Sequence, residues 1–155
     1  MDRVKDSIEL NVPVEKLFAY YHDPRNVARM TPPELHLRLI RAEKPLREGS
    51  RVLFGLRPTM LPFELHWLLT ITDYDPPHGF SEELSKGPFT YWIHEHRFEA
   101  LDNNRSRVTD TIRFGRLTGL TGRLIRPSFV RHSLEKTFHH RREVVKRDLE
   151  VGAPR

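Results

Sequence analysis

The sequence predicts an α+β fold: a curved antiparallel sheet of about six to seven strands wrapped around one long C-terminal helix, with two short helices after the first strand. Three observations predict it. From Leu35 to Phe114, apolar side chains alternate with polar ones through most stretches, the period of a half-buried strand. Short segments rich in Pro, Gly, Asp and Asn separate these stretches, so consecutive strands pair as hairpins. After Pro127 the period becomes helical, and an amphipathic helix must bury its apolar stripe against the sheet. A strongly curved sheet around one helix leaves space between them, and pockets favour such concave surfaces.

Residues Asp6 to Asn11 alternate and read as the first strand, with Ile8, Leu10 and Val12 on one face. Pro13 opens a helix over Val14 to Tyr21, where Val14, Leu17, Phe18 and Tyr21 follow the i, i+3, i+4, i+7 pattern. Asp23 caps a second short helix with Pro24 at its first position. It runs to about Met30 and ends at Thr31-Pro32-Pro33. Leu35, Leu37 and Leu39 then alternate with His36, Arg38 and Ile40 as an extended stretch.

Arg47 to Ser50 is a turn, followed by a strand from Arg51 to Leu56. Pro58 and Pro62 bracket a loop, and Glu64 to Tyr74 is a longer strand with Leu65, Trp67, Leu69 and Ile71 on its apolar face. Asp75-Pro76-Pro77-His78-Gly79 turns the chain into a strand from Phe80 to Ser85. Lys86-Gly87-Pro88 leads to the strand Thr90 to Phe98, and a turn at Asp102-Asn103-Asn104 leads to the last strand, Arg107 to Phe114. Gly115, Gly119 and Gly122 mark a flexible approach to the final helix, Ser128 to Leu149. Val130, Leu134, Phe138, Val145 and Leu149 line one side of that helix, Arg141 fills the missing step, and Gly152 and Pro154 stop it.

A chain of 155 residues is expected to form one domain, residues 1–155, with the last few disordered. The absence of cysteine excludes disulfides, thiol catalysis and cysteine-ligated zinc. Neither a long apolar run nor an apolar leader after Met1 is present, so stable membrane insertion is not expected and a cytoplasmic location is. The net charge of +5 reflects 26 basic residues offset by 21 acidic ones throughout the chain. Basic residues cluster only at Arg131, Lys136, Arg141, Arg142, Lys146 and Arg147. This cluster reads as a solvated helix face rather than a surface for nucleic acid or acidic lipid, and no nucleic-acid partner is expected. A Gly-x-Ser-x-Gly elbow, a phosphate-binding glycine loop and a dinucleotide fingerprint are all missing.

The most informative stretch is Thr90 to Phe98. Trp92, His94, His96 and Phe98 share one face of this strand, and the aromatics at its ends mark that face as the buried one. Two imidazoles pointing inward between them suit a pocket better than a core built only for stability. Asp110 sits between Val108 and Ile112 on an apolar face, so its carboxylate needs a partner. His96 across the strand pair and Arg141 on the last helix are the candidates, giving an expected Asp110–histidine–Arg141 network. That network serves either to fix the helix on the sheet or to contact a ligand. Glu82 and Glu83 straddle the faces of their strand, so one of them must point inward, and the register does not say which.

At this point the residues resemble the START and polyketide-cyclase-like superfamily, often called SRPBCC, with its helix-grip fold, and within it an uncharacterised bacterial subgroup. The resemblance rests on Pro13 to Phe18, Asp23 to Asn26, Thr31 to Pro33, Gly49 to Arg51, Trp67 with Ile71, and Asp75 to Pro77. Its most specific block is Phe80 through Gly87-Pro88-Phe89, Trp92, His94, His96 and Phe98, followed by Asp110 and Phe138 to Arg141. The resemblance implies a cavity between sheet and C-terminal helix that takes a small hydrophobic or amphipathic molecule, without a cofactor.

The expected ligand-binding residues are Trp67, Glu82, Trp92, His94, His96, Asp110, Phe138 and Arg141. The Pro58-to-Phe63 loop and the Gly115-to-Gly122 segment are lid candidates. The expected role is binding, with transport or sensing as its purpose, rather than catalysis. The alternative is a cyclase or dehydratase using His94, His96 and Asp110 as acid/base groups. His94 and His96 are also spaced to share a metal ion with Asp110, Glu82 or Glu83, but the superfamily generally works without one, and none is expected. Either a monomer or a homodimer is expected.

Overall fold

A computed structural model of the chain describes residues 2–150. The expected helix stop at Gly152 and Pro154, and the disorder expected of the final residues, lie outside them.

Seven strands form one antiparallel sheet: β1 (Asp2–Leu10), β2 (Arg38–Ala42), β3 (Arg51–Leu56), β4 (Leu65–Asp75), β5 (Gly79–Lys86), β6 (Trp92–Asp102) and β7 (Arg105–Phe114). Their spatial order is β1-β7-β6-β5-β4-β3-β2. From β2 to β7 the strands follow one another as a meander, and β1 closes the sheet against β7. Among the described residues the helices are α1 (Val14–His22), α2 (Arg25–Arg29), α3 (Gly119–Leu124) and α4 (Pro127–Leu149). Register shifts within β2–β3 and β4–β5 bend the sheet, as bulges do. The α+β helix-grip architecture predicted from sequence is the one observed.

Most element boundaries fall within two residues of the sequence reading, but four departures have physical causes. β1 starts at Asp2 rather than Asp6, because Asp2 to Lys5 pair with the Thr111-to-Phe114 end of β7, which offers them backbone partners. The stretch from Leu35 is not extended at first. Pro33–Leu35 is a 3-10 turn, and His36 takes a left-handed conformation (φ 47°) with Nδ1 2.8 Å from the Arg57 carbonyl. Proline at the start of that turn has its torsion pre-set for it, so β2 begins only at Arg38. The glycine segment forms the short helix α3, entered through Gly119 at φ 58°. Its leucines point outward, Leu120 57% and Leu124 52% exposed, so it lacks the buried stripe by which a helix is read from sequence. β6 runs on to Asp102 rather than ending at Phe98, because Glu99, Ala100 and Asp102 find backbone partners in the Arg105-to-Arg107 end of β7.

The core has two lobes. In the lower one, Ile8, Leu17, Phe80, Phe98, Val108 and Val145 are buried among α1, the sheet and the end of α4. Phe18 meets Phe98 and Phe80 nearly edge-on, with ring centroids 5.3 and 5.8 Å apart. The upper lobe gathers Val52, Phe54, Leu69, Trp92, Ile112, Phe114, Leu134 and Phe138 between the sheet and the first half of α4. Asp148, near the end of α4, joins three helices. Tyr20 Oη donates to its Oδ2 at 2.6 Å, and Arg29 forks onto both oxygens, Nε to Oδ2 at 3.0 Å and Nη2 to Oδ1 at 2.8 Å. Burial disfavours the Asp148 anion, but these partners outweigh it and hold its carboxyl below the ordinary value. Tyr20, part-buried beside that anion, is pushed up to about 12.

Phe98→Ala is expected to cost about 3–5 kcal/mol in urea unfolding, since Phe98 is buried within the lower lobe. A loss below about 1 kcal/mol would mean that the lobe repacks freely. For Asp148 the folded carboxyl titrates lower than the unfolded one, so its stabilisation is complete above the ordinary value of 3.8 and is lost as pH falls below it. Asp148→Asn should therefore lower stability at pH 7 by roughly 1–3 kcal/mol and flatten the acid limb of a melting-temperature profile.

Candidate functional site

Three neighbouring strands and the last helix converge on one buried polar cluster. The cross-strand register places Glu82 of β5 opposite His94 of β6, and His96 of β6 opposite Asp110 of β7. All four point to the concave face because strand side chains alternate. Arg141 enters from α4, where it occupies one step of the buried stripe, and Tyr21 enters from the end of α1.

Asp110 is the centre of the cluster and is only 1% exposed. Its Oδ1 accepts from His94 Nε2 at 2.9 Å and His96 Nδ1 at 2.6 Å, and Arg141 Nη1 stands 3.5 Å from the same oxygen. The Asp110–histidine–Arg141 network expected from sequence is thus brought together. Because a carboxylate oxygen accepts, both facing ring nitrogens carry hydrogen. The opposite nitrogens, His94 Nδ1 and His96 Nε2, then turn toward Glu82 Oε2, at 3.6 and 3.5 Å. These separations exceed hydrogen-bond length. The inward member of the glutamate pair is Glu82, and Glu83 is exposed.

Burial opposes charge on all these groups, and the neighbours decide the outcome. Burial, and then the charge on His96, pushes His94 down to about 4. For His96 the Asp110 anion outweighs burial and lifts it to about 9. Asp110 is held well below the carboxylate range against burial by the His96 charge, then by Arg141 and the histidine hydrogen bonds. Glu82 is lowered too, against burial, chiefly by His96. At neutral pH two anions, Asp110 and Glu82, therefore face two cations, His96 and Arg141, beside a neutral His94. Tyr21, buried next to Asp110, keeps its proton far into the alkaline range.

A cavity of about 160 Å³ lies between the sheet and α4. Its walls are mostly apolar, with Leu37, Phe54, Leu69, Phe89, Ile112 and Leu134 among them. Trp67, Glu82, Trp92, His94, His96 and Arg141 line it as well. Asp110 does not: it stands behind the histidines, orienting them. Phe138 packs in the upper lobe, with the Arg141 guanidinium carbon 5.8 Å from its ring centroid. The two expected lid segments supply Pro58 and Leu117 to the lining.

Residues outside the expected set also belong to this wall. Tyr21 is one, and Ser133 and Thr137 form a polar file with Arg141 at four-residue spacing along α4. That i, i+4, i+8 spacing is the signal in the sequence that points to them. Among the described residues, buried polar atoms without a hydrogen-bond partner concentrate here: Tyr21 Oη, Trp67 Nε1, His96 Nε2, and Arg141 Nε and Nη1. Buried donors are normally satisfied, and this grouping sets the wall apart from the rest of the interior.

Residues 9–149 match the model of a family described as Domain of unknown function (DUF8410). A search of the curated proteins finds no significant match. Among solved structures, the chain is similar to a START superfamily protein from Mycobacterium smegmatis at 11% identity and TM-score 0.68, covering 96% of this chain and 97% of that one. The Zhui aromatase/cyclase from Streptomyces sp. R1128 is 17% identical, with TM-score 0.67 and 99% of both chains covered. The major latex-like protein 151 of Panax ginseng is 12% identical, with TM-score 0.65, covering 96% of this chain and 97% of that one. At these identities the likeness is one of fold.

Asp110→Asn keeps the shape but removes the charge that Arg141 and His96 face, and is expected to cost about 3 kcal/mol in urea unfolding. The double variant Asp110→Asn/Arg141→Leu should recover at least about 1 kcal/mol relative to the sum of the single losses. Strict additivity would show that the two groups do not sense each other.

Proposed function

The chain belongs to the DUF8410 family and has a START-like helix-grip fold, and on that footing we propose that it binds a small hydrophobic or amphipathic molecule in the cavity between the sheet and α4. The observation that carries this reading is the cavity's composition: apolar walls with one cluster of donors that lack a hydrogen-bond partner. Apolar burial supplies affinity, and a few convergent polar groups set orientation. Tyr21, Trp67 and Arg141 offer donors to an acceptor-bearing head group, and Trp92 and the leucines enclose its apolar body. His94, His96 and Glu82 stand at the same wall, held in place by Asp110. Transport or sensing would both use such a site. No helix among the described residues is long and apolar enough to cross a membrane.

A second reading is favoured by one specific arrangement. Two histidines share a buried orienting carboxylate and face the cavity, the layout of an oriented general base. On that reading His94 and His96 serve a cyclase or dehydratase reaction, with Asp110 as their positioning residue. Turnover of a polyketide-like substrate lost in both His94→Ala and His96→Ala would favour it over simple binding.

Both tryptophans of the chain line the cavity, so intrinsic fluorescence reports its occupancy. Titration with 1,8-anilinonaphthalene sulfonate, an anionic amphiphile, should saturate with quenched tryptophan emission and a blue-shifted probe. Ser133→Phe, which fills the space from α4, should abolish the signal, and Arg141→Leu should weaken it at least about tenfold, the loss of one charge-assisted contact. An unsaturable titration, or one indifferent to Ser133→Phe, would refute the cavity as the binding site.

A further inference from the structure

We propose that Glu82, His94 and His96 form a binding site for one divalent first-row transition-metal ion, with Asp110 as the outer partner that aims both histidines. One ligand atom from each of the three residues lies within 4.8 Å of the others. The ligand set is His94 Nδ1, His96 Nε2 and a Glu82 carboxylate oxygen. Two imidazoles and one carboxylate suit Zn2+ or Fe2+, and such three-ligand sets leave coordination positions open.

Three features of the geometry carry this inference. The first is distance. The Glu82 Oε2 separations of 3.6 Å from His94 Nδ1 and 3.5 Å from His96 Nε2 are too long for hydrogen bonds. They match the edges of a tetrahedron: two ligands each about 2.05 Å from an ion stand roughly 3.4 Å apart. The second is direction. Asp110 Oδ1 accepts a hydrogen bond from the far nitrogen of each ring, so the ring position facing Glu82 is the one available to an ion. A metal-ligating histidine usually donates its other N–H to a carboxylate or carbonyl in this way. Here one carboxylate serves two histidines. The third is an unmet group: His96 Nε2 is buried without a hydrogen-bond partner.

The site faces the cavity, since all three ligand residues line it. An ion there would turn its open positions toward the space between sheet and helix, where an oxygen of a bound molecule reaches it. The family resemblance implies that no metal is used, and this inference departs from it on the geometry of this chain. It does not depend on the amphiphile reading, because the ion alone is the probe and the fluorescence titration tests the other separately.

The test is titration of the chelator-treated wild-type protein with Zn2+ by calorimetry and with Co2+ by visible absorption. One equivalent of each should bind, and Co2+ should give the intense bands of a four-coordinate site. Glu82→Gln should weaken binding by more than the roughly 10–100-fold that loss of an outer partner costs. His66→Gln, at the exposed His66–Glu64 pair, should leave it unchanged. If Glu82→Gln fails to fold, His94→Gln reads the same loss. Absence of stoichiometric binding by the wild type, or binding that survives both Glu82→Gln and His94→Gln, would overturn the proposal.

Discussion

The negative charge of Asp110, almost sealed from water, organises the inner face of the sheet. An isolated carboxylate in such a place would cost several kcal/mol, and it persists only because its neighbours supply hydrogen bonds and positive charge. Two imidazoles on β6 and a guanidinium on α4 answer it. Their positions follow from the register, since β6 and β7 pair His96 with Asp110 directly. The same demand joins helix to sheet at a point where apolar contact alone would allow sliding. Ring orientation, the turning of the opposite ring nitrogens toward Glu82 and the polar end of the cavity all descend from that one carboxylate.

The consequences run outward in two directions. Toward the lower lobe, the cluster abuts a closely packed aromatic group in which Phe80 lies against His96, ring centroids 4.6 Å apart. Toward the upper lobe, the same cluster meets the cavity, where Trp67 and Trp92 pack at 4.6 Å and the walls become apolar. The histidines stand at the border between a filled half and a hollow half. Polar groups at that border have a firm backing on one side and an open space of about 160 Å³ on the other.

Much of this arrangement is legible in the amino-acid sequence. The alternation of Trp92, His94, His96 and Phe98 and the placing of Asp110 among Val108 and Ile112 follow from period two alone. Arg141 announces itself by taking an apolar step in the stripe of α4. Other parts are not legible there. Which of Glu82 and Glu83 turns inward depends on the pairing register of β5, a property of tertiary contact rather than local pattern. The 3-10 turn at Pro33–Leu35 and the left-handed His36 are held by hydrogen bonds across a loop, from Arg57 N–H to the Leu35 carbonyl, from Thr59 N–H to the Glu34 carbonyl and between His36 Nδ1 and the Arg57 carbonyl, invisible in the alternation of Leu35, Leu37 and Leu39. Helix α3 escapes because its outward leucines and two glycines mimic a linker. Tyr21 is legible as a helix-stripe residue but not as a member of the polar wall, since that role depends on the angle at which α1 meets the sheet.

The anchoring of α4 is uneven along its length. Its second half is tied by Arg141 to Asp110, by Arg142 to Asp6, and by Asp148 to Tyr20 and Arg29. Its first half rests on apolar contact over the cavity and on exposed pairs such as Lys136 with Glu34 and Arg131 with Asp2, which contribute little. The helix is therefore clamped at one end and merely seated at the other. With fewer charged ties and the cavity beneath it, the seated end costs less to lift from the sheet than the clamped end.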